Sequence, residues 1–276
     1  MPTTLSDIRA AFEHQIEVYG PELQQDHQPD TAPEEDQIES TVMIQSGYER
    51  IKALIPSASP LHHLDTLSDV EEYVRKTTLI ALDETRINPV FGVGHPDADL
   101  MVIGEAPGAN EDAKGEPFVG RAGKLLTQIL QATGFEREDV YIANILKSRP
   151  PNNRDPRSDE IQAHVPILYR QISLIRPKIL LCVGRTSGTS LLGVQSSLAS
   201  LRGKFHDFHG LPVMVTYHPA ALLRNPNWKR PTWEDMQLLR DRYAELDGRV
   251  GTAHKDPGTG GAQTTADAIS IRHDIS

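Results

Sequence analysis

The stretch from Leu100 to Leu126 constrains this chain more than any other. Leu100-Met101-Val102-Ile103 is a short apolar run of the kind that forms a buried strand. The chain then breaks into Gly104-Glu105-Ala106-Pro107-Gly108, passes Glu111-Asp112 and reaches Pro117-Phe118-Val119-Gly120-Arg121. A helical period follows through Leu125, Leu126, Ile129 and Leu130, with Gly134 as its stop. A strand that runs into a Gly/Pro turn places backbone N–H groups and carboxylates at the carboxyl end of a sheet, where open α/β folds bind ligands. Glycine-rich turns of this kind are ordinary. One that also carries two carboxylates, an isolated Phe and a basic helix start is not.

Further strands deliver polar residues in the same way. Residues 139–143 read as a strand that ends at Asn144, and Lys147, Arg149, Arg154 and Arg157 then form a basic, proline-interrupted loop suited to phosphate contacts. Residues 179–184 are a continuous apolar strand, with Cys182 as a buried, inert thiol, followed by a helix through Leu191 and Leu192. The stretch 200–209 reads as a loop or hairpin before the last core strand, 212–217. Pro219 cannot continue a ladder, so this strand stops with His218 projecting from its end, before Ala221-Leu222-Leu223-Arg224. Trp233, Met236, Leu239 and Tyr243 lie on one face of a closing helix.

The chain has 276 residues and a formal charge of −10, but the acidity is local. Residues 1–66 carry twelve acidic and three basic side chains, so the remainder is close to neutral and compatible with a nucleic-acid partner. Within 1–66, an amphipathic helix is expected over 4–20, a Pro/Gln/Asp/Glu-rich linker over 21–39 and a second helix over 42–54. These residues form an acidic extension; 67–248 form the folded domain, opening with a helix over 67–82, and 249–276 form a disordered tail. A single cysteine rules out an intramolecular disulfide. No run has the length of a membrane span and no signal-like start is present, so a cytoplasmic protein is expected.

Gly104 to Gly108 with Glu111-Asp112 and 117–126, then Asn144 to Arg154, then His218 to Pro226, resemble in order and spacing the three motifs of the family 4 uracil-DNA glycosylases. The resemblance covers roughly residues 70 to 245. It implies an α/β fold, a three-layer sandwich around a central, mostly parallel four-stranded sheet. It also implies a monofunctional, monomeric hydrolase that cuts the N-glycosidic bond of uracil in DNA, with no lysine at a motif position to form a Schiff base. By this resemblance Gly104, Glu105, Ala106 and Gly108 shape the uracil pocket, Phe118 stacks on the base, and Asn144 reads its O4 and N3–H edge. His218 meets the anion at O2, and Glu111 orients the attacking water, since Ala106 stands where family 1 enzymes place an Asp. Lys147, Arg149 and Arg154 contact phosphates, while Leu222, Leu223 and Arg224 enter the duplex.

One departure stands out. The family carries a four-iron, four-sulfur cluster on four cysteines, and the corresponding positions here are Thr77, Ile80, Ser148 and His164. Such clusters need thiolates in nearly every case, so no cofactor is expected and His164 reads as a packed histidine on an apolar helix face. Three rival readings remain: a non-catalytic uracil-DNA binding module, a protein that traps uracil DNA covalently through His206 or His209, and a nucleotide- or sugar-phosphate-binding α/β protein.

Overall fold

The computed structural model describes residues 46–246. The expected helix over 4–20, the linker over 21–39, the first residues of the helix over 42–54 and the whole tail over 249–276 lie outside the described residues. Six strands, β1 (Val93–Gly94), β2 (Leu100–Gly104), β3 (Tyr141–Asn144), β4 (Ile179–Val183), β5 (Phe205–Phe208) and β6 (Leu211–Thr216), form one sheet in the order β1-β3-β2-β4-β6-β5. The inner four, β3, β2, β4 and β6, are parallel, as the sequence led us to expect. The expected count of four must be raised to six, because an antiparallel strand covers each edge. β1 pairs over two residues and β5 over four, so both are short strands that blunt an otherwise open edge.

The inner strands β2 and β4 are buried along their whole length and carry no polar side chain, because both sheet faces are covered. Met101, Ile103, Leu180, Cys182, Val213 and Val215 point to one face. They meet Val165, Leu168 and Ile172 of α4 (Ser158–Ile175), Leu191 of α5 (Arg185–Leu192) and Leu201 of α6 (Leu198–Leu201). Val102, Ile142, Leu181 and Met214 point to the other face. There they pack on Leu126 and Leu130 of α3 (Arg121–Ala132) and on Met236 and Leu239 of α8 (Lys229–Glu245). This is the three-layer arrangement. The chain leaves β2 for β3 on one side and returns to β4 on the other, so the carboxyl ends of β2 and β4 flank the switch point where open sheets bind ligands.

Two expected boundaries move. Residues 46–66, assigned above to an extension, are packed into the fold: Tyr48, Ile51, Ile55 and Leu61 are buried, and the Tyr48 hydroxyl donates to the Arg176 and Pro177 carbonyls at 2.9 and 3.0 Å. The helix expected over 67–82 ends early, as α1 (Leu67–Lys76), and a separate turn of 3₁₀ helix covers Ala81–Thr85. Arg86 turns the chain there by donating to the carbonyls of Val74 (2.6 Å) and Thr77 (3.1 Å).

Candidate active site

Gly104, the last residue of β2, lies beside Asn144, the last residue of β3, in the sheet register. A Cβ on Gly104 would clash with the Asn144 side-chain oxygen and stand 2.6 Å from Phe118 Cζ, so glycine is needed to let the amide and the ring approach. Phe118 in turn lies against His218, with ring centroids 5.6 Å apart and a 30° tilt. Three chain-distant side chains therefore converge at the carboxyl ends of the parallel strands. Asn144 is 2% exposed, and its side-chain amide, which keeps a little contact with solvent, makes no hydrogen bond to protein among the described residues.

The loop that carries Phe118 is held from several sides. Phe118 has φ 54°, a left-handed conformation that non-glycine residues adopt only when the surroundings fix it. Glu111 Oε1 accepts from the Val119 and Gly120 amides, both at 2.9 Å. Arg137 donates to the Pro117 carbonyl at 2.9 Å. Gly123 in the first turn of α3 packs so close to the Phe118 carbonyl that any Cβ would overlap it. Glu111 is thus first a clamp on this loop. Its Oε2, which makes no hydrogen bond among the described residues, abuts Gly108, the N-cap of α2 (Ala109–Lys114). Glu105 and Ala106 are half-buried in the turn, and burial raises the Glu105 carboxyl above its ordinary range despite a hydrogen bond with Thr186.

His218 is the N-cap of α7 (Pro219–Arg224), and its Nδ1 accepts from the Ala220 amide at 3.1 Å. An Nδ1 that accepts bears no proton, so neutral His218 carries its hydrogen on Nε2. Burial, and secondarily the Arg224 guanidinium, lowers the His218 pKa to about 4, against a smaller opposing pull from Glu111. At neutral pH the ring is an uncharged donor.

The expected DNA-contacting residues divide. Lys147 must be removed from that set: it is 0% exposed, with Nζ donating to the Asn144 carbonyl at 2.8 Å and to Gln171 Oε1 at 2.6 Å. Burial lowers its pKa to about 7. Leu222 must be removed too, because it is 1% exposed and packed inward, whereas its neighbour Leu223 is 43% exposed and Arg224 is exposed. Arg149 is half-exposed and bonded to Asn153 Oδ1 at 2.8 Å. Arg154 grips the buried Glu160 with both guanidinium nitrogens, at 2.9 and 2.6 Å, and so anchors the basic loop to α4.

The four cysteine-equivalent positions gather around Asp83 and Arg86, residues the sequence reading missed. Ser148 donates to Asp83 Oδ1, and His164 Nε2 lies 3.0 Å from the same oxygen. Asp83 Oδ2 accepts from the Leu79 and Ile80 amides, at 2.8 and 3.3 Å. Arg86 pairs with Asp83 at 3.3 Å and reaches Ser148 Oγ and the Thr77 carbonyl at 3.2 and 3.1 Å. His164 Nδ1 accepts from the Lys147 amide at 2.9 Å, which ties this knot to the strand that ends in Asn144. Burial works to raise the Asp83 carboxyl, but hydrogen bonds with His164 and Ser148 outweigh it and hold the group well below the usual carboxylate range. The one hint in the sequence was an Asp placed three residues before an Arg, directly after an apolar Leu.

A family model described as the uracil DNA glycosylase superfamily matches residues 91–237. A type-4 uracil-DNA glycosylase of Sulfurisphaera tokodaii is 44% identical over 187 residues, covering 64% of this chain and 85% of the relative. Its counterpart in Saccharolobus solfataricus is 45% identical over 187 residues, covering 64% and 87%. That of Thermotoga maritima is 44% identical over 175 residues, covering 62% and 91%.

Proposed function

This chain belongs to the uracil-DNA glycosylase superfamily, and from that premise we propose how its own residues carry the reaction. It is a hydrolase of DNA repair that removes uracil from DNA, in line with its type-4 relatives. Water adds to C1′ of the deoxyribose, the C1′–N1 bonding pair leaves with the base, the proton given up by the water balances the one that the uracil anion takes up, and an abasic site remains. Extruding the nucleotide costs a few kcal/mol. Stacking on Phe118 returns about 1–3 kcal/mol. Asn144 offers one donor and one acceptor to O4 and N3–H of uracil, a pattern that cytosine opposes.

The larger contribution falls at O2, where negative charge develops. His218 donates there from Nε2 as a neutral ring, aided by backbone N–H groups of the 104–108 turn. Loss of one such donor costs roughly 10²–10³ in rate in other enzymes. Because the ring is neutral, it gives up no proton to the ground-state carbonyl. Its hydrogen bond strengthens only as the base becomes an anion, so it favours the transition state. Glu111 orients the water through Oε2 while Oε1 keeps Phe118 in place. Leu223 occupies the gap left in the duplex, and Arg149 and Arg224 meet phosphates. The observation that carries this reading is the convergence of Phe118, Asn144 and His218 over Gly104.

An iron–sulfur cluster does not fit the residues present. Ser148 and His164 are already hydrogen-bonded to Asp83, Thr77 and Ile80 supply no thiolate, and the sole cysteine is buried inside β4. We read the Asp83 knot as holding the helix and loop beside the site. Covalent trapping is disfavoured by position: His206 pairs with Val213 in the body of the β5–β6 hairpin, with Nε2 2.7 Å from the Leu201 carbonyl, and His209 sits in the hairpin turn at the amino end of β6, whereas His218 follows the carboxyl end.

Incubation with a labelled single-uracil oligonucleotide tests the function. Strand breakage only after alkali is expected; a denaturant-resistant adduct would mean trapping, and a mobility shift without breakage would mean a binding module. Purified protein should lack iron and visible absorption, and stoichiometric iron would overturn the cofactor reading.

A further inference from the structure

We propose that Lys147 is a positioning residue for uracil recognition: its buried side chain, held by Gln171, fixes the main chain of Asn144 and so aims the Asn144 amide. This rests on the reading of Asn144 as the residue that contacts the uracil edge.

Lys147 is fully buried, and no carboxylate pairs with it among the described residues. An unpaired cation is costly to bury, and an apolar side chain of the same length would fill the space without that penalty. Packing alone therefore does not explain a lysine here. Its Nζ makes two hydrogen bonds, to Asn144 O at 2.8 Å and Gln171 Oε1 at 2.6 Å, and lies over the Phe91 ring, whose centroid is 6.0 Å away. The bond to Asn144 runs back three residues and closes the turn that follows β3.

The main-chain N–H groups of that turn are fixed as well. Ile145 and Leu146 donate to Gly104 O and Glu105 O, at 2.9 and 3.1 Å. The Lys147 amide donates to His164, and its carbonyl accepts from Val90 at 2.8 Å. Gln171 is oriented by its donation to Phe91 O at 3.0 Å and a contact with the Tyr141 hydroxyl at 3.3 Å. What Lys147 adds is the hold on the Asn144 carbonyl, the main-chain group of the residue whose amide stays unengaged. A misplacement of about 1 Å in such a group can cost about 10²-fold in rate.

The test is Lys147→Met, measured by single-turnover cleavage of uracil DNA beside a melting curve. We expect a loss of about 10- to 100-fold in rate, an unchanged KM for DNA and a cooperative melt. Asn144→Ala placed on Lys147→Met should cost much less than on the native protein, because both act on one contact. Wild-type rates for Lys147→Met, or the full Asn144→Ala loss on top of it, would overturn the proposal. Wild-type activity of Asn144→Ala alone would instead remove the reading on which it rests. Lys147→Met with Gln171→Met replaces both partners by apolar groups of similar shape, a change that can be nearly neutral for stability. Collapse of the fold in that variant as well as in Lys147→Met would show the lysine to be structural and would also overturn the proposal.

Discussion

The Asp83 knot and the Phe118–Asn144–His218 pocket are both polar clusters at the edge of the same core, and they treat their hydrogen-bonding groups in opposite ways. In the knot, both Asp83 oxygens, both His164 nitrogens and the Ser148 hydroxyl find partners inside the chain. In the pocket, the Asn144 amide has no protein partner among the described residues but keeps a little contact with solvent, and His218 has one nitrogen bonded with the other left to donate outward. A buried polar group that is satisfied internally holds structure; one held in place but unsatisfied is ready for a ligand. The two clusters share a strand end: the Lys147 amide joins the knot, while its Nζ joins Asn144.

The comparison breaks most visibly if the pocket proves structural. Asn144→Ala and His218→Ala are each expected to cut the rate of uracil release by roughly 10²–10³, with little change in melting temperature. Near-native rates, or a large fall in melting temperature, would place these residues with the knot instead. The pH profile sharpens the point. His218 stays neutral until about pH 4, so its donation to O2 should persist through pH 6.5, where an ordinary histidine would protonate. A rate inflection near 6.5 that vanishes in His218→Gln would contradict the neutral-donor assignment.

The knot should show the converse. Asp83→Asn removes a buried charge from His164, Ser148 and Arg86, and breaking such a pair costs about 3–5 kcal/mol. For a domain of this size that is roughly 10 °C in melting temperature, while the single-turnover rate per folded molecule stays within a few-fold. Because the folded Asp83 pKa lies below its unfolded value, its stabilisation is complete above the ordinary carboxylate range and is lost as pH falls towards the folded pKa. Urea melts of the native protein and Asp83→Asn should therefore converge in strongly acid solution. Equal stabilities at pH 7 would mean that the knot is not holding the fold.

What could be read from the sequence follows the same division between local and distant causes. The inner strands were legible because their apolar runs are bounded by turn-forming residues such as Gly104, Asn144, Gly184 and Pro219. β1 was not, being a two-residue pairing, and β5 was legible only as the hairpin alternative over 200–209, because its Phe-His-Asp-Phe pattern buries one residue. The helix over 67–82 was overextended because no breaker stands at Thr77; Arg86 and Asp83 capture the backbone there from several residues downstream. Lys147 read as a surface charge because the partner that buries it, Gln171, lies 24 residues away. The pocket residues were visible from their motifs, but the clamp by Glu111 on the Phe118 loop is a long-range contact that spacing does not reveal.

Leu222 and Leu223 give the next contrast, since two identical neighbours fall on opposite faces of α7. Leu222→Ala should behave like a core truncation and cost about 2–5 kcal/mol of stability. Leu223→Ala should leave the melting temperature unchanged and lower the rate on duplex DNA more than on single-stranded DNA, where no gap needs filling. Equal losses on both substrates would show that Leu223 does not enter the duplex.

The smallest expected effect separates two arginines on one loop. Arg149 is half-exposed and bonded only to Asn153 on the same loop, so it is free to release a counterion when it meets a phosphate. Arg149→Ala should reduce the slope of log affinity against log salt by about 0.9 for one phosphate contact, with a weakening that is uniform across sequences. Arg154 is committed to Glu160 through both nitrogens. Its substitution should leave the salt slope nearly unchanged and loosen the loop, so that Glu160, whose pKa the Arg154 hydrogen bond lowers to about 2, titrates nearer its ordinary value. If Arg154→Ala changes the salt slope and Arg149→Ala does not, the division of this loop into an anchor and a DNA contact is reversed.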